Sequence, residues 1–404
     1  MKILVVTQYF WPENFRINDL VVSLKNEGHD VTVLTGKPNY PDGDVFQEYI
    51  DEPNNYSNLS GVDVFRVPMR PRKKGSVNLF LNYVSFAFSA TFNGSRLLKN
   101  KSYDVIFACQ LSPITSVLPA IFIKKQKKIP LVMWSLDLWP ESLQAVGIVK
   151  SQRVIHWVRK LVRYIYAQCD LILAQSEEYI DAIRKTDLSN TPTMIFPNFA
   201  EDIFGEIQVK ENDSSKIKVL FAGNIGDAQD FDAVVECSKL IKKNKLNVQI
   251  QVVGDGRKRH ELEQNIVKYE LQDYLVYHGK FPLEDMPRFY SQADAALVSL
   301  KTNDIFSRTI PGKVQSYMMA SLPIIGMIDG STAALIAKAN CGYCCKSGDF
   351  HSLYENLEKF SLLNEKERIN LGCNGYQYAS EYFNKDSLVS KLSDALEEIS
   401  KKGL

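Results

Sequence analysis

The sequence predicts an α/β protein of two tandem domains, each a largely parallel sheet covered by helices on both faces. Three observations point there. A length of 404 residues exceeds what one hydrophobic core usually serves. Short apolar runs alternate with amphipathic helical stretches almost from end to end. A polar, weakly periodic stretch near the middle divides this series in two. The apolar fraction of 45% and charged fraction of 24% are those of an ordinary globular chain, and no long polar tract or repeat suggests disorder or a solenoid.

In the first series, Ile3–Thr7 reads as a buried strand, Ile17–Asn26 as a helix and Val31–Leu34 as the next strand. Strand-like runs return at Val105–Ala108, Leu131–Trp134, Leu171–Ala174 and Thr193–Phe196. The second series opens at Ile217, with strands expected at Val219–Ala222, Val248–Val253, Val276–Tyr277, Ala295–Leu300 and Pro323–Met327. The final segment sets Leu388, Leu392, Ala395, Leu396 and Ile399 on one helical face with no strand after it. The expected division is therefore 1–198, a linker 199–216, a second domain 217–383, and a C-terminal helix 384–404 that packs outside the second domain, back on the first. In open sheets of this kind ligands bind at the carboxyl ends of the strands, and two such sheets facing each other across a cleft suit an enzyme with two dissimilar substrates.

The net charge of +1 conceals an asymmetry: residues 1–200 carry 23 Lys and Arg against 18 Asp and Glu, the remainder 25 against 29. The first half is thus expected to face something anionic. Ile3-Leu4-Val5-Val6 reads as a strand rather than a secretory signal, and the longest apolar stretch, residues 78–92, is too short to span a bilayer. Seven cysteines in no regular framework fit a reducing compartment. Cys341 and Cys344 have the CxxC spacing, but no second pair or spaced His completes a tetrahedral metal site, so a strand of small buried residues explains them better.

Chemistry gathers at three strand ends of the second half. Gly223-Asn224-Ile225-Gly226 follows the strand at Val219 and precedes a helix, where glycines let the backbone approach a ligand and the helix N-terminus favours phosphate; a ligand-free tight turn fits one glycine pair equally well. Gly254-Asp255-Gly256 repeats the pattern, followed by Arg257, Lys258 and Arg259, cations that oppose the helix dipole unless an anion is present. The third segment runs from Asp304 through Phe306, Arg308 and Pro311-Gly312 to Lys313, Gln315 and Ser316. It sets Lys313 in a first helical turn, a fixed ammonium of the kind a departing diphosphate needs. A solvated surface lysine is the bland alternative.

The order FAGNIG, VVGDGRKRHEL, HGKFPLEDMPRFYSQAD, LVSLKTNDIFSRTIPGKVQSYMMASLPIIG resembles glycosyltransferase family 4, of the two-domain GT-B fold. QYFWPENFRINDL, TGKPNYPDG and LDLWPESL resemble its WbuB-like branch of bacterial surface-polysaccharide transferases. The resemblance implies a retaining, metal-independent transfer from a nucleotide sugar with no further cofactor, and the branch is associated with N-acetyl-L-fucosamine transfer in O-antigen assembly. By position it implies Gly223, Asn224 and Gly254 beside the donor diphosphate, Lys313 as its main cation with Arg257 second, and Phe281 where backbone groups hold the base. Most members carry two Glu eight positions apart, one near the donor sugar and one on the ribose; those positions are Arg308 and Ser316 here, with Asp304 and Gln315 as polar neighbours.

In the first half, Glu13, Asn14 and Arg16 form a polar loop after the first strand, candidates for the acceptor side, although Asn14 or Asn18 serves equally as a helix cap. Asp137 ends another strand at the same edge, with Glu141 close behind. Asp137 is the first candidate to take the acceptor hydroxyl's proton or steady an oxocarbenium-like transition state, and helix capping is its ordinary alternative. Asp137, Lys313 and Arg308 are the expected catalytic set. Between Arg66 and Tyr103 lie eight Lys or Arg and no acid, around NLFLNYVSFAFSATF. Basic residues interleaved with aromatics suit an anionic bilayer or a lipid diphosphate, or else a core with a solvated face. Nucleic acid fits poorly, since no binding motif is present.

The expected activity is transfer of an N-acetylated sugar from a UDP-sugar to a polyprenyl-diphosphate-linked glycan at the cytoplasmic membrane face. A UDP-sugar 2-epimerase of the same fold and a non-catalytic donor- or lipid-binding subunit are the rivals.

Overall fold

The computed structural model describes every residue except 42, 74, 146–150, 206–215, 304–305 and 403–404. The chain divides into two compact units, Met1–Pro197 with Asp386–Leu404, and Asn198–Lys385. Most of the expected linker, and Asp304, lie outside the described residues.

The first unit holds eight strands: β1 Lys2–Val6, β2 Asp30–Thr35, β3 Asn58–Leu59, β4 Val62–Arg66, β5 Val105–Gln110, β6 Leu131–Ser135, β7 Leu171–Ala174 and β8 Thr193–Ile195. They run in the order β3-β4-β2-β1-β5-β6-β7-β8, parallel throughout except for the antiparallel pair β3 and β4. The sequences VIFACQ and LVMWS are buried along their whole length because helices cover both faces of the sheet. The strand order reverses between β1 and β5, which makes the carboxyl ends of those two strands this unit's ligand-binding edge.

The second unit holds β9 Ile217–Ala222, β10 Val248–Val253, β11 Leu275–Gly279, β12 Ala295–Ser299, β13 Ile324–Met327 and β14 Gly342–Cys345. All are parallel, in the order β11-β10-β9-β12-β13-β14, with two apolar clusters on the two faces of the sheet. The reversal here falls between β9 and β12. Those strands pair at Ala295 with Val219 and Ala296 with Leu220. Past that point the hydroxyl of Tyr317 enters, accepting from the Ala222 amide at 2.8 Å and donating to the Ala222 carbonyl at 3.3 Å. A side chain from the helix Gly312–Met319 thus satisfies backbone groups that a neighbouring strand would otherwise take. β14 is the edge strand on the far side. Cys341 is buried just before it, and Cys344 and Cys345 are half-buried within it, all as free thiols.

The C-terminal helix, Lys385–Lys402, buries Leu388, Val389, Leu392 and Leu396. Apart from its first residue it belongs to the first unit, where the Ser393 hydroxyl lies 2.5 Å from His29 Nε2. Among the described residues no helix is long and apolar enough to cross a membrane.

Candidate functional site

In the second unit three strand-end turns are laced together by their backbones. The Gly223 amide donates to the Val253 carbonyl at 2.9 Å, Ile225 to Asp255 at 2.8 Å, Lys258 to Ile225 at 2.9 Å, and Gly254 to Gly279 at 2.8 Å. The approach is so close that a Cβ on Gly254 would lie 1.8 Å from the Gly223 carbonyl oxygen, and Gly254 has φ +146°. Only glycine fits there. The result is an exposed shelf carrying Gly223 and Asn224 at the switch point of the sheet.

Lys313 comes to this shelf from the helix Gly312–Met319. It lies one turn before Tyr317, so the two side chains share a face and both point at the end of β9. Its Nζ is 3.6 Å from the centre of the Phe221 ring, and a Cβ on Gly223 would lie 2.9 Å from it. The ammonium is buried and makes no hydrogen bond to any described residue. Burial pulls its pKa down to about 7. A buried cation that meets an aromatic face and no hydrogen-bond partner among the described residues, in the second residue of a helix, is an arrangement that a bound anion completes.

The three cations after β10 differ in the company they keep. Lys258 pairs with Glu261 at 2.5 Å and Asp227 at 3.9 Å; Arg259 reaches Asp255 at 3.6 Å and Glu263 at 3.8 Å. Arg257, in the turn before the helix Arg259–Lys268, is exposed and has no carboxylate partner among the described residues. It is the one of the three left available to a ligand.

Phe281 follows β11, half-buried, 4.8 Å from Phe289 and under the Arg288 guanidinium at 5.6 Å. Phe306 and Arg308 occupy a short 3-10 turn before Ile310, both half-buried. Gln315 is fully buried, and its side-chain amide faces the carbonyls of Pro311 (2.9 Å) and Gly312 (3.0 Å), acceptors within its own helix that its nitrogen satisfies. Ser316 is 3% exposed and donates to a carboxylate oxygen of Glu201 at 2.6 Å. Nothing in the linear sequence announces Glu201, which stands 115 residues away.

The first unit gathers a polar and aromatic group at the ends of β1, β5 and β6. The Trp139 indole N–H donates to Asp137 Oδ2 at 3.0 Å. Burial raises the Asp137 pKa, partly offset by hydrogen bonds from Trp139, Ser142 and Ser112. Ser112 also bonds Tyr83, whose own pKa burial raises and whose ring lies 6.2 Å from that of Trp139. Arg72 stands over the Tyr40 ring at 5.2 Å and is close enough to Tyr9 and Tyr83 to join them electrostatically. Tyr83 and Ser112 are therefore neighbours of Asp137, with Arg72 beside Tyr83, and sequence reasoning did not single them out for this site. Glu141 opens the short helix Glu141–Ala145 and lies 3.9 Å from Arg159.

Glu13 is 2% exposed, and its carboxylate accepts from the backbone amides of Phe10 (3.0 Å), Asn39 (2.8 Å) and Tyr40 (2.8 Å). Burial pushes its pKa up to about 7 against those amides and Arg66. It braces two loops against each other. Asn14 is exposed, and Arg16 begins the helix Arg16–Asn26. Neither Asn14 nor Asn18 caps that helix: Phe15 holds the cap position, while Asn18 ties the loop through Trp11 (2.9 Å) and Glu13 (2.7 Å).

Each unit matches the model of a known domain. Residues 14–198 match the model of the Glycosyl transferase 4-like domain, and residues 203–378 that of Glycosyl transferases group 1. WcaI of Escherichia coli (strain K12), named as a colanic acid biosynthesis glycosyl transferase, is 24% identical over 339 residues, covering 75% of this chain and 80% of its own. Among solved structures, sucrose-phosphate synthase (tll1590) from Thermosynechococcus elongatus superposes with TM-score 0.73 at 15% identity over 99% of each chain. Anabaena Alr3699/HepE in complex with UDP and glucose does so with TM-score 0.68 at 14% identity, covering 98% of this chain and 99% of its own.

Proposed function

The chain belongs to the family 4 glycosyltransferases of the two-domain GT-B fold, and from that premise we propose that it moves an N-acetylated hexosamine from a UDP-sugar to a polyprenyl-diphosphate-linked glycan during surface-polysaccharide synthesis. The observation that carries the donor half of this reading is the buried ammonium of Lys313 at the Gly223 shelf, without a hydrogen-bond partner among the described residues. The sugar C1–O bond to the diphosphate breaks with retention of configuration. Charge developing on that diphosphate is met by Lys313, the exposed Arg257 and the shelf amides, with no bound metal and no further cofactor. The base rests at Phe281. On the first unit, Asp137 takes the acceptor hydroxyl's proton as the new C1–O bond forms, with Tyr83 and Ser112 beside it. WcaI's name supports the polysaccharide class and the UDP in HepE supports the nucleotide. N-acetyl-L-fucosamine, implied by the WbuB-like motifs, is the sugar we favour.

The test is a panel of UDP- and GDP-sugars incubated with a lipid-diphosphate glycan and read by product mass, with and without EDTA. Equal turnover of one UDP-N-acetylhexosamine in both conditions is expected. Conversion of the sugar nucleotide without acceptor would instead identify an epimerase, and loss of turnover in EDTA would remove the metal-free mechanism.

A lipid-borne acceptor also gives a use to an otherwise costly surface. Val77, Phe80, Val84, Phe88 and Phe92 are between 44% and 70% exposed along one helical stripe. Phe92 meets Phe122 at 6.2 Å on the next helix, where Lys125 reaches the Tyr164 hydroxyl at 3.0 Å. Residues 64–136 carry 12 Lys and Arg and a single acid, Asp104. We assign this stripe to the anionic inner face of the cytoplasmic membrane. Replacing Phe80 and Phe88 together by Ser is expected to cut co-sedimentation with phosphatidylglycerol vesicles about 10-fold or more, leaving UDP binding unchanged. Unaltered vesicle binding would overturn the assignment.

A further inference from the structure

We propose that Arg72 binds the diphosphate of the lipid-linked acceptor, an inference that rests on the acceptor reading above and names the residue that recognises the acceptor's charge. Arg72 lies in the loop after β4, at the carboxyl edge of the first unit's sheet, and that loop is tied down twice. The Arg72 amide donates to Asn39 Oδ1 at 2.9 Å; Asn39 is fully buried, and its own amide donates to Glu13 at 2.8 Å. Just before it, the Arg70 carbonyl accepts from Asn82 Nδ2 at 2.7 Å, while Asn82 Oδ1 accepts from Gln8, just past β1, at 2.8 Å. The backbone at Arg72 is thus fixed before any ligand arrives.

The side chain is less completely partnered. Its guanidinium is half-buried over the Tyr40 ring at 5.2 Å and beside Tyr9, and no carboxylate among the described residues pairs with it. Glu13, which braces the same loops, uses both oxygens on the amides of Phe10, Asn39 and Tyr40, and the cation it feels is Arg66. The N–H donors of a guanidinium form a planar fork that matches phosphate oxygens two at a time, and an aromatic face leaves most of them open.

Position indicates which anion this is. Tyr83 follows Asn82 in the helix Ser76–Ser89 and is close enough to Arg72 and Asp137 to feel both charges. The cation and the carboxyl that takes the acceptor's proton are therefore neighbours of one phenol side chain. A pyranose is about the size of that ring. The anion at Arg72 is then joined to the same sugar that carries the reacting hydroxyl. On a lipid-diphosphate glycan that anion is the diphosphate at the sugar's anomeric carbon.

Initial rates are compared for the full chain on three acceptors that share one short prenyl group. The first is an N-acetylhexosamine joined through a diphosphate, the second the same sugar as a neutral glycoside, and the third a neutral glycoside of the matching uronic acid. The wild type is expected to favour the diphosphate over the neutral glycoside by about 30–300-fold in kcat/KM. Arg72→Gln should remove that preference, mainly through KM, and leave the neutral glycoside nearly unchanged. Arg72→Lys, which keeps the charge without the fork, should recover part of it. Equal slowing of all three acceptors in Arg72→Gln would overturn the proposal and make Arg72 a prop for its loop. Wild-type rates indifferent to the diphosphate, or highest on the uronate, would overturn it as well. No transfer to any acceptor, with UDP still bound, would remove the acceptor reading and this proposal with it.

Discussion

Lys313→Met is expected to make the ligand-free protein more heat-stable while weakening UDP binding by at least about 100-fold. The two effects share one cause. The ammonium is buried against Phe221 without a hydrogen-bond partner among the described residues, and its pKa is pulled down to about 7. Holding it charged costs the folded state on the order of 3 kcal/mol, which Met does not incur. That corresponds to a rise in melting temperature of roughly 5 °C or more for a unit of this size. The sign with pH follows. From about 7 up to the unfolded lysine value the unfolded chain binds more protons than the folded one, so this group's contribution to stability increases as pH rises through that window and is flat below it. A diphosphate beside the amine restores its proton. UDP binding at pH 8 is therefore expected to take up nearly one proton, seen as a buffer-dependent heat that Lys313→Met abolishes. Wild-type affinity in the variant, or heats independent of buffer, would remove Lys313 from the donor site.

The second large effect is expected at Asp137. Asp137→Asn should lower kcat by about 10²–10⁴ and leave UDP affinity intact, because the nucleotide contacts we propose lie in the other unit. Burial raises the pKa of this carboxyl, so the proton-accepting form appears at higher pH than for an exposed Asp. The acid limb of kcat/KM against pH should accordingly lie above the ordinary Asp range and vanish in the Asn variant. A variant that keeps both its rate and its limb would make Asp137 a loop residue, tied to Trp139 for structure alone.

Much of the fold was legible because parallel strands covered on both faces leave a simple trace. VIFACQ, LVMWS and VQIQVV are recognisable without any knowledge of their neighbours. β4, with the sequence VDVFR, escaped notice because it pairs with a two-residue antiparallel strand and is only partly buried, so its apolar run is broken. The Gly223 shelf was legible for a related reason. Glycines at strand ends announce close backbone approach, and Gly223 and Gly254 are in contact. Contacts made across long separations left no such trace. The carboxylate absent from position 316 arrives there from position 201, and Asp137 finds Tyr83 through Ser112, two loops away. Gln315 shows the opposite case. A polar residue beside a site is an attractive ligand on paper, but this one is buried against the carbonyls of its own helix.

The C-terminal helix carries a consequence for the order in which the molecule matures. Residues 198–385 form a continuous piece of chain, whereas the first unit needs residues on both sides of it. During synthesis the opening 197 residues emerge without the helix whose Leu388, Val389, Leu392 and Leu396 become buried. The later-made unit is thus the earlier one to possess all of its own parts. The usual vectorial rule, in which the N-terminal domain is finished first, is inverted here. The unit assigned to the acceptor and membrane is completed only when the helix Lys385–Lys402 has left the ribosome.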